Sequence, residues 1–354
     1  MDSYQIASWV EQGDFAYFVP YNANILIEYD MKRNKTIRVY NIDNTYYGMG
    51  SIIEIVKYND ELILVPLHYF KIVIFDCVSK TFRYLDIPYM DQLEIKNSFF
   101  SKGIIKDNYL FLVGHNYRGT LRIDLQTEDI IIINDYIEWV QKEKNDNGYP
   151  VEVDVAYNEH YIYLISTCNG NLIEISLDNC KSNIYTLGDK KYDMVTWING
   201  NLWLMGNEFH YAKWNREKGI IDEGIIPIII PCDKKKKYQY RRSIGLNDRI
   251  LLLSTEHELP IIVLECTELQ KSKNVYLDGK GVSAYFPNIV NGLVTFWDAY
   301  STRTCIWDGV NFMKQCWDEG DFLVPYFIEK SHKGMLLNER EMSISSYLHL
   351  VIDY

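Results

Sequence analysis

The chain has 354 residues and a net charge of −12 at pH 7, from 36 basic and 48 acidic side chains. Hydrophobic residues make up 47% of the chain and charged residues 24%, a composition typical of a globular protein that excludes an intrinsically disordered one. The acidic balance argues against a general polyanion-binding surface, because nucleic-acid-binding proteins usually present a basic stripe.

The N-terminal sequence MDSYQIASWVEQGD has an acidic residue at Asp2 and no apolar core, so it does not predict a signal peptide. The longest apolar runs, such as residues 224–231, are far shorter than the roughly 20 residues that span a membrane. Seven cysteines without CxxC spacing argue against a disulfide framework or a zinc site. We therefore expect a cytoplasmic protein with reduced cysteines and no membrane partner.

Two marker residues recur along the chain at an interval of about 46 residues. The first is a turn residue between two apolar runs, as in a β-hairpin, and occurs at Gly13, Asn59, Asp107, Asn158, Asn199, Asn247, Asn291 and Gly334. The second follows about 17 residues later. It is Asp30, Asp76, Asp124, Ser176, Asn215, Glu265 or Asp308. Because an aspartate that recurs at a turn accepts hydrogen bonds from turn amides, we expect a structural role for these carboxylates.

Each interval predicts four short strands, which we call A to D. In the second unit the predicted strands are 52–57, 61–66, 71–76 and 81–87. The connections within a unit are short, and those from strand D to the next strand A are longer. The predicted units are 4–42, 52–88, 99–134, 152–188, 192–230, 240–277, 282–316 and 321–354.

A period of about 40–50 residues with four strands resembles the blades of kelch and WD40 β-propellers. The resemblance covers nearly the whole chain but is architectural, since the Gly-His…Trp-Asp signature and the kelch double glycine are both missing. It implies an all-β fold with a single β-propeller domain over residues 1–354. The strand count favours eight four-stranded blades, with seven as the alternative.

In a propeller the B–C loops and the D–A loops emerge on one face, around the mouth of the central channel, where ligands usually bind. Four of the seven histidines fall in equivalent B–C loops: His68, His115, His210 and His257. Other polar and aromatic residues of these loops complete the predicted binding set. They are Tyr21, Asn22, Tyr69, Tyr117, Arg118, Cys168, Phe209, Tyr300 and Arg303.

The favoured interpretation is a non-enzymatic binding scaffold that recognises a protein, a peptide or a glycan through these loops. It assigns no catalytic residue and no cofactor. The alternative is a lyase or hydrolase in which the four loop histidines hold a divalent metal or act as general acid and base.

The D–A loops contain two further candidates. Residues 233–242, DKKKKYQYRR, carry Lys234 to Lys237 and then Arg241 and Arg242, which could contact a phosphate backbone. A solvated loop is the favoured interpretation, and a nucleic-acid partner is not expected. Residues 135–150, around Trp139, are the second candidate, as a small lid or partner epitope. A disordered or merely decorative loop is the favoured interpretation of this segment.

Overall fold

The described residues form seven four-stranded sheets, and in each sheet neighbouring strands are also consecutive in the chain. The computed structural model describes residues 6–20, 24–42, 51–90, 98–141, 154–166, 170–206, 209–228, 240–254, 259–277, 279, 282, 284–298 and 303–315. Within these ranges a short helix, α1 (Ile137–Gln141), and a 3-10 turn, Leu269–Lys271, accompany the strands.

The strands are numbered in chain order, four to a sheet, and correspond to A, B, C and D. Sheets 1 to 4 contain β1 (Ile6–Gln12), β2 (Phe15–Pro20), β3 (Ile25–Asp30), β4 (Lys35–Asn41), β5 (Ile52–Tyr58), β6 (Glu61–Pro66), β7 (Lys71–Asp76), β8 (Thr81–Asp86), β9 (Phe100–Lys106), β10 (Tyr109–Gly114), β11 (Thr120–Asp124), β12 (Ile130–Ile133), β13 (Ala156–Tyr157), β14 (Tyr161–Ile165), β15 (Leu172–Ser176) and β16 (Ser182–Tyr185). Sheets 5 to 7 contain β17 (Met194–Ile198), β18 (Asn201–Met205), β19 (His210–Asn215), β20 (Gly219–Ile225), β21 (Tyr240–Leu246), β22 (Arg249–Ser254), β23 (Ile261–Glu265), β24 (Lys273–Val275), β25 (Ala284–Val290), β26 (Leu293–Asp298), β27 (Arg303–Trp307) and β28 (Phe312–Gln315).

The A–B turns place residues in the left-handed backbone region. Asn199 and Gly200 have φ of 50° and 74°, and Asn291 and Gly292 have φ of 50° and 76°. Two successive positive φ angles are typical of the type I′ turn, whose twist matches that of the flanking strands. Positive φ occurs at six of the marker residues, which confirms the predicted hairpins there: Gly13, Asn59, Asp107, Asn199, Asn247 and Asn291.

The aspartates that end several C strands bind the turn that follows them. The Asp76 carboxylate accepts hydrogen bonds from the backbone N–H groups of Val78 and Ser79, each at 2.7 Å. Those N–H groups hold the pKa of Asp76 below its usual range. Asp308 binds the N–H groups two and three residues further on in the same way. The structural role expected for these aspartates is confirmed at both turns.

Burial decreases from the inner strands of a sheet to the outer one. In β6 the side chains from Leu62 to Val65 have no exposed surface, whereas no residue of β8 is fully buried. Strands with apolar side chains on both faces must be covered on both faces, so each sheet needs packed neighbours. The four strands predicted for this second unit are confirmed to within one residue at each end.

The chain divides into two compact units. Sheets 1 and 2 belong to the first unit, in which the backbone N–H of Ile55 donates to Ser8 Oγ at 3.1 Å and joins strands β1 and β5. Sheets 3 to 6 and strands β25 and β26 belong to the second unit. There, Thr196 Oγ1 donates to Ser243 Oγ at 2.5 Å, which joins strands β17 and β21. Neighbouring A strands are therefore linked side by side within each unit.

The architecture is an all-β β-propeller with seven four-stranded blades. Seven was the alternative in the sequence prediction, and the preference for eight blades is corrected to this number. The strand count had been raised by a unit predicted at 321–354, which lies outside the described residues. Sheets 1 to 7 are called blades 1 to 7 below.

Candidate functional site

In blades 2 and 3 the B–C loop lies beside the residues that precede strand A of the same blade. In blade 2 the N–H groups of Leu67 and His68 donate to the carbonyl of Ser51 at 2.8 and 3.3 Å. In blade 3 the N–H groups of His115 and Tyr117 donate to the carbonyl of Phe99 at 2.8 and 3.3 Å. The B–C loop and the D–A connection therefore meet at one edge of a blade, which we call the loop edge.

Two glycines allow the loop of blade 3 to fold back on itself. A Cβ added at Gly114 would lie 2.0 Å from the carbonyl oxygen of Gly119. Gly119 has φ of 151°, and its own Cβ would lie 2.3 Å from the carbonyl oxygen of Ile133. No other residue type fits these close backbone approaches, so both glycines are required for the shape of the loop edge.

Three of the predicted binding side chains are buried. Tyr69, His115 and Tyr117 expose 0%, 4% and 1% of their surface. The Tyr117 ring packs against that of Phe100, with ring centroids 5.0 Å apart. Burial favours a packing role for these three side chains within their loops, in place of the exposed rim contacts that the sequence suggested.

The other predicted binding residues are either partly or fully exposed or lie outside the described residues. His68, Phe209 and His210 are half-buried, and Arg118 is exposed. Arg303 is the first residue of β27. Five further predicted residues lie outside the described residues: Tyr21, Asn22, Cys168, His257 and Tyr300.

The loop histidines within the described ranges do not form a metal-binding group. Among those ranges, no cluster of three or more His, Cys, Asp or Glu side chains has a geometry that could hold a metal ion. His68, His115 and His210 belong to blades 2, 3 and 5, and His115 is buried. A metal-dependent reaction at these histidines stays a prediction without geometric support from this part of the chain.

The loop of blade 5 holds an aromatic side chain on a strained backbone. Phe209 has φ of 59°, a conformation that bulky residues rarely adopt. Its ring contacts that of Tyr240, with centroids 5.8 Å apart, and the Tyr240 hydroxyl donates to the carbonyl of Pro260 at 2.7 Å. Strain of this kind persists only where surrounding contacts hold it, and it often marks a functional position.

Three exposed aromatic side chains follow D strands, and the sequence analysis singled out only one of them. Tyr89, Trp139 and Tyr276 expose 52%, 55% and 41% of their surface and lie in the D–A connections of blades 2, 3 and 6. They follow the ends of their D strands by different distances, and Trp139 lies within α1, so aligning the units would not have brought the three to one position.

A buried carboxylate at the start of blade 4 was also missed. Asp154 Oδ2 accepts hydrogen bonds from the N–H of Val195 at 3.0 Å and from the N–H and hydroxyl of Ser243 at 3.0 and 2.6 Å. Burial raises the pKa of Asp154 to about 6, although Arg242 and these hydrogen bonds act to lower it. Asp154 therefore connects the inner strands of three blades.

The basic segment is described only at its end. Lys234 to Lys237 lie outside the described residues, while Arg241 is exposed and Arg242 is half-buried. Arg242 lies close enough to the buried Asp154 carboxylate to favour its ionised form. Its charge therefore acts within the protein interior. Among the described residues, no helix is long and apolar enough to cross a membrane.

Comparison with solved structures shows the fold. BamB from Moraxella catarrhalis is 12% identical to this chain with a TM-score of 0.56, over 85% of this chain and 83% of BamB. The β-propeller domain of Cps50 (Swd1) from Myceliophteria thermophila is 8% identical with a TM-score of 0.57, over 87% of this chain and 98% of that domain. Hsv2 from Kluyveromyces lactis is 9% identical with a TM-score of 0.53, over 89% of this chain and 98% of Hsv2.

No family model matches the sequence, and no curated protein matches it either. At the low identities of the solved structures, the likeness concerns the arrangement of strands and carries no assignment of ligand or activity.

Proposed function

We propose that the protein is a non-enzymatic scaffold that binds a protein or peptide partner through the loop edges of its blades. The observation that carries the proposal is the placement of exposed aromatic side chains. Within the unit that holds blades 3 to 6, Trp139 and Tyr276 both lie in D–A connections, and more than two fifths of each side chain is exposed. Large rigid side chains with a polar end are enriched at protein interfaces, because they bury much area at small entropic cost.

The rest of the described loop edges also favours binding over catalysis. Their predicted histidines are partly or fully buried and do not assemble into a metal-binding group within the described residues. A rigid framework with varied loops at one edge is an arrangement that many binding proteins use. A glycan would also suit exposed aromatic side chains, and it is the second ligand class to test.

Affinity capture from a lysate of the cells that make the protein tests this function. We expect the variant Trp139→Ala/Tyr276→Ala to retain less than about a tenth of the partner captured by the unmodified chain, since truncating aromatic interface residues often costs more than about 2 kcal/mol. Tyr157→Ala is the matched control, because Tyr157 is 45% exposed but lies beside the A–B turn, at the opposite edge of its blade. Equal capture by all three proteins would contradict the proposal.

A further inference from the structure

The outer strand of blade 3 differs in composition from the outer strands of the other blades. β12 (Ile130–Ile133) consists of four isoleucines and pairs with β11 in regular register. Ile133 is buried, Ile130 and Ile132 are half-buried, and Ile131 is 45% exposed. Among the described strands, β12 hydrogen-bonds to β11 alone, because it is the last strand of its sheet. Its other edge is therefore available to a further strand.

The hydrogen-bond pattern shows which backbone groups of β12 face outward. The N–H of Asp124 donates to the carbonyl of Asp129 at 2.9 Å, so these two residues form a hydrogen-bonded pair. Such pairs alternate with non-hydrogen-bonded ones along an antiparallel ladder, which directs the N–H and C=O groups of Ile131 towards β11. The N–H and C=O groups of Ile130 and Ile132 therefore point away from the sheet, and they offer two donors and two acceptors to a docked strand.

The other outer strands have features that hinder pairing with a further strand. Strands β4, β8, β24 and β28 each contain a lysine or an arginine. A register shift interrupts β20, which also contains Asp222 and Glu223. In β16 the N–H of Ser182 donates to the Asp135 carboxylate at 3.0 Å. Among the D strands of the described residues, β12 alone lacks a charge, a register shift and a capping side chain.

Acidic side chains precede and follow β12. Residues 126–139 contain four of them and no basic side chain. All four are exposed: Glu128, Asp129, Asp135 and Glu138. On the neighbouring blade, exposed Lys181 precedes the Ser182 that binds Asp135, so the start of β12 at Asp129 is its more acidic end. Because complementary charge selects partners at an interface, this edge fits a strand with basic residues.

The same charges argue against a second copy of the chain as the partner. Two-fold antiparallel pairing about Ile131 would place Glu128 opposite Asn134 of the other copy, and Thr127 opposite its Asp135. Acidic side chains of both copies would then meet at each end of the paired strands. Like charges at such positions destabilise strand pairing.

We propose that β12 docks an extended segment of a partner protein by strand addition, and that this segment has β-branched or aromatic residues with lysine or arginine beside them. The segment pairs with the outward backbone groups of Ile130 and Ile132. Ile131 then lies in a non-hydrogen-bonded pair, in which opposite side chains are closest, and packs against the centre of the segment. We call this surface, residues 129–133, the β12 edge. It belongs to an outer strand and not to the loops, so the proposal goes beyond the scaffold function proposed above.

Selection from a phage-displayed library of random peptides of about 12 residues, longer than a typical strand, tests the proposal with the full chain immobilised. We expect the enriched peptides to contain consecutive β-branched or aromatic residues next to lysine or arginine. A fluorescein-labelled copy of the most enriched peptide is then titrated by fluorescence anisotropy against the unmodified chain and its variants.

The variant Ile132→Pro distinguishes strand addition from side-chain contact. Its ring replaces an N–H that faces outward, so the ladder with β11 keeps its hydrogen bonds while the docked strand loses one and meets the ring. We expect the peptide to bind about tenfold more weakly. Ile225→Pro is the matched control, because the N–H of Ile225 in the outer strand of blade 5 also faces outward.

Two further variants test the side chains of the β12 edge. Ile131→Lys introduces a charge of the kind that other outer strands carry and should weaken peptide binding about tenfold. Ile221→Lys is its control, since Ile221 is 43% exposed on β20. Asp129→Lys should weaken binding about fivefold, whereas Glu217→Lys, at the exposed C–D turn of blade 5, should not. Unchanged melting temperatures would show that the variants fold, and Ile131→Lys decides the test if Ile132→Pro does not.

Four outcomes would overturn the proposal. The first is a selection that enriches no peptide, and the second is a set of enriched peptides without basic residues. The third is a peptide whose affinity is unchanged by Ile132→Pro and by Ile131→Lys. The fourth is a dimer of the unmodified chain in sedimentation equilibrium that Ile131→Lys dissociates, which would make a second copy the occupant. The scaffold function is judged separately, by capture with Trp139→Ala/Tyr276→Ala.

Discussion

A buried carboxylate shows how single side chains hold neighbouring blades together. Glu28, on the C strand of blade 1, accepts hydrogen bonds from the hydroxyls of Tyr17 at 2.8 Å and Tyr40 at 2.5 Å. It also pairs with Lys80, which reaches across from the C–D turn of blade 2. Burial alone would raise the pKa of Glu28, but the hydrogen bonds from Lys80 and the two tyrosines outweigh it and hold this pKa below its usual range.

Removing the Lys80 charge should therefore lower the stability of the folded chain. Lys80→Met leaves a buried carboxylate without its counter-charge, so we expect the free energy of unfolding to fall by about 3 kcal/mol in urea titrations at pH 7. Adding Glu28→Gln should recover part of this loss, because the buried charge is then absent. The control Lys32→Met breaks an exposed pair with Asp14 and should cost less than about 0.5 kcal/mol. Similar losses for the two lysine variants would contradict the role of burial.

The same pair gives a pH dependence at low pH. Because the pKa of Glu28 is lower in the folded chain than in the unfolded one, its contribution to stability is present above the unfolded value of 4.5. That contribution is lost as the pH falls through the folded value. Unfolding of the Glu28→Gln variant should depend less on pH below about 4.5 than that of the unmodified chain.

At the scale of the element, tight turns and loops depend on backbone conformations that only a few residue types adopt. Gly13 has φ of 63° and open space around its missing Cβ, whereas Gly114 has backbone atoms only 2.0 Å from where its Cβ would be. Gly13 is needed for its left-handed backbone conformation, and Gly114 is needed because there is no space for a Cβ atom. Substitution by alanine should therefore lower the free energy of unfolding by different amounts at the two positions.

We expect Gly13→Ala to lower the free energy of unfolding by about 1 kcal/mol, the usual cost of a left-handed alanine. Gly114→Ala should cost more than about 2 kcal/mol, because the carbonyl of Gly119 must move and the loop edge of blade 3 with it. Chemical denaturation of both variants measures the difference. Equal costs would show that the loop adjusts freely to an added methyl group.

The strands could be predicted from the sequence because each blade repeats the same local signals. Turn residues such as Asn59 and capping residues such as Asp76 act within a few positions of themselves, so a local reading finds them. The positions of the loop side chains could not be predicted in this way. The sequence placed Tyr69 and Tyr117 among exposed ligand-binding residues, but their loops fold over the start of strand A and both rings are buried. Burial of a loop side chain depends on that tertiary contact, which no local pattern reports.

At the scale of the whole molecule, polar contacts tie together inner strands that are far apart in sequence. Asp154 joins blades 4, 5 and 6 through Val195 and Ser243, although Ser243 is 89 residues away. Lys102 Nζ, in β9 of blade 3, donates to Asn288 Oδ1, in β25 of blade 7, at 3.3 Å. Such contacts were invisible to a repeat analysis because each occurs once and breaks the periodicity.

The raised pKa of Asp154 predicts a second pH effect, opposite in sign to that of Glu28. With a pKa of about 6 when folded and 3.8 when unfolded, Asp154 binds a proton more readily in the folded chain. Its contribution therefore favours folding most below pH 3.8 and is lost as the pH rises through 6. At pH 7 the charged, buried form costs about 3 kcal/mol relative to low pH, which is about two pKa units.

Asp154→Asn should remove this loss, since asparagine keeps an oxygen for the N–H groups and cannot ionise. We expect the stability difference between variant and unmodified chain to shift in favour of the variant as urea titrations move from pH 4.5 to pH 7.5. The double variant with Arg242→Met tests the arginine, which favours the charged form of Asp154. A difference that stays constant over this pH range would contradict the buried titration.

The exposed C–D turns have a practical consequence for engineering. Val78 and Val310 each follow a turn aspartate by two residues and are 75% and 62% exposed, and each donates its backbone N–H to that aspartate. A fluorophore, an affinity tag or a fused domain attached there would project from the C–D turn, between the two outer strands of a blade. The opposite, loop-bearing edge would stay unobstructed, so these two valines are natural anchor points for sensors built on this protein.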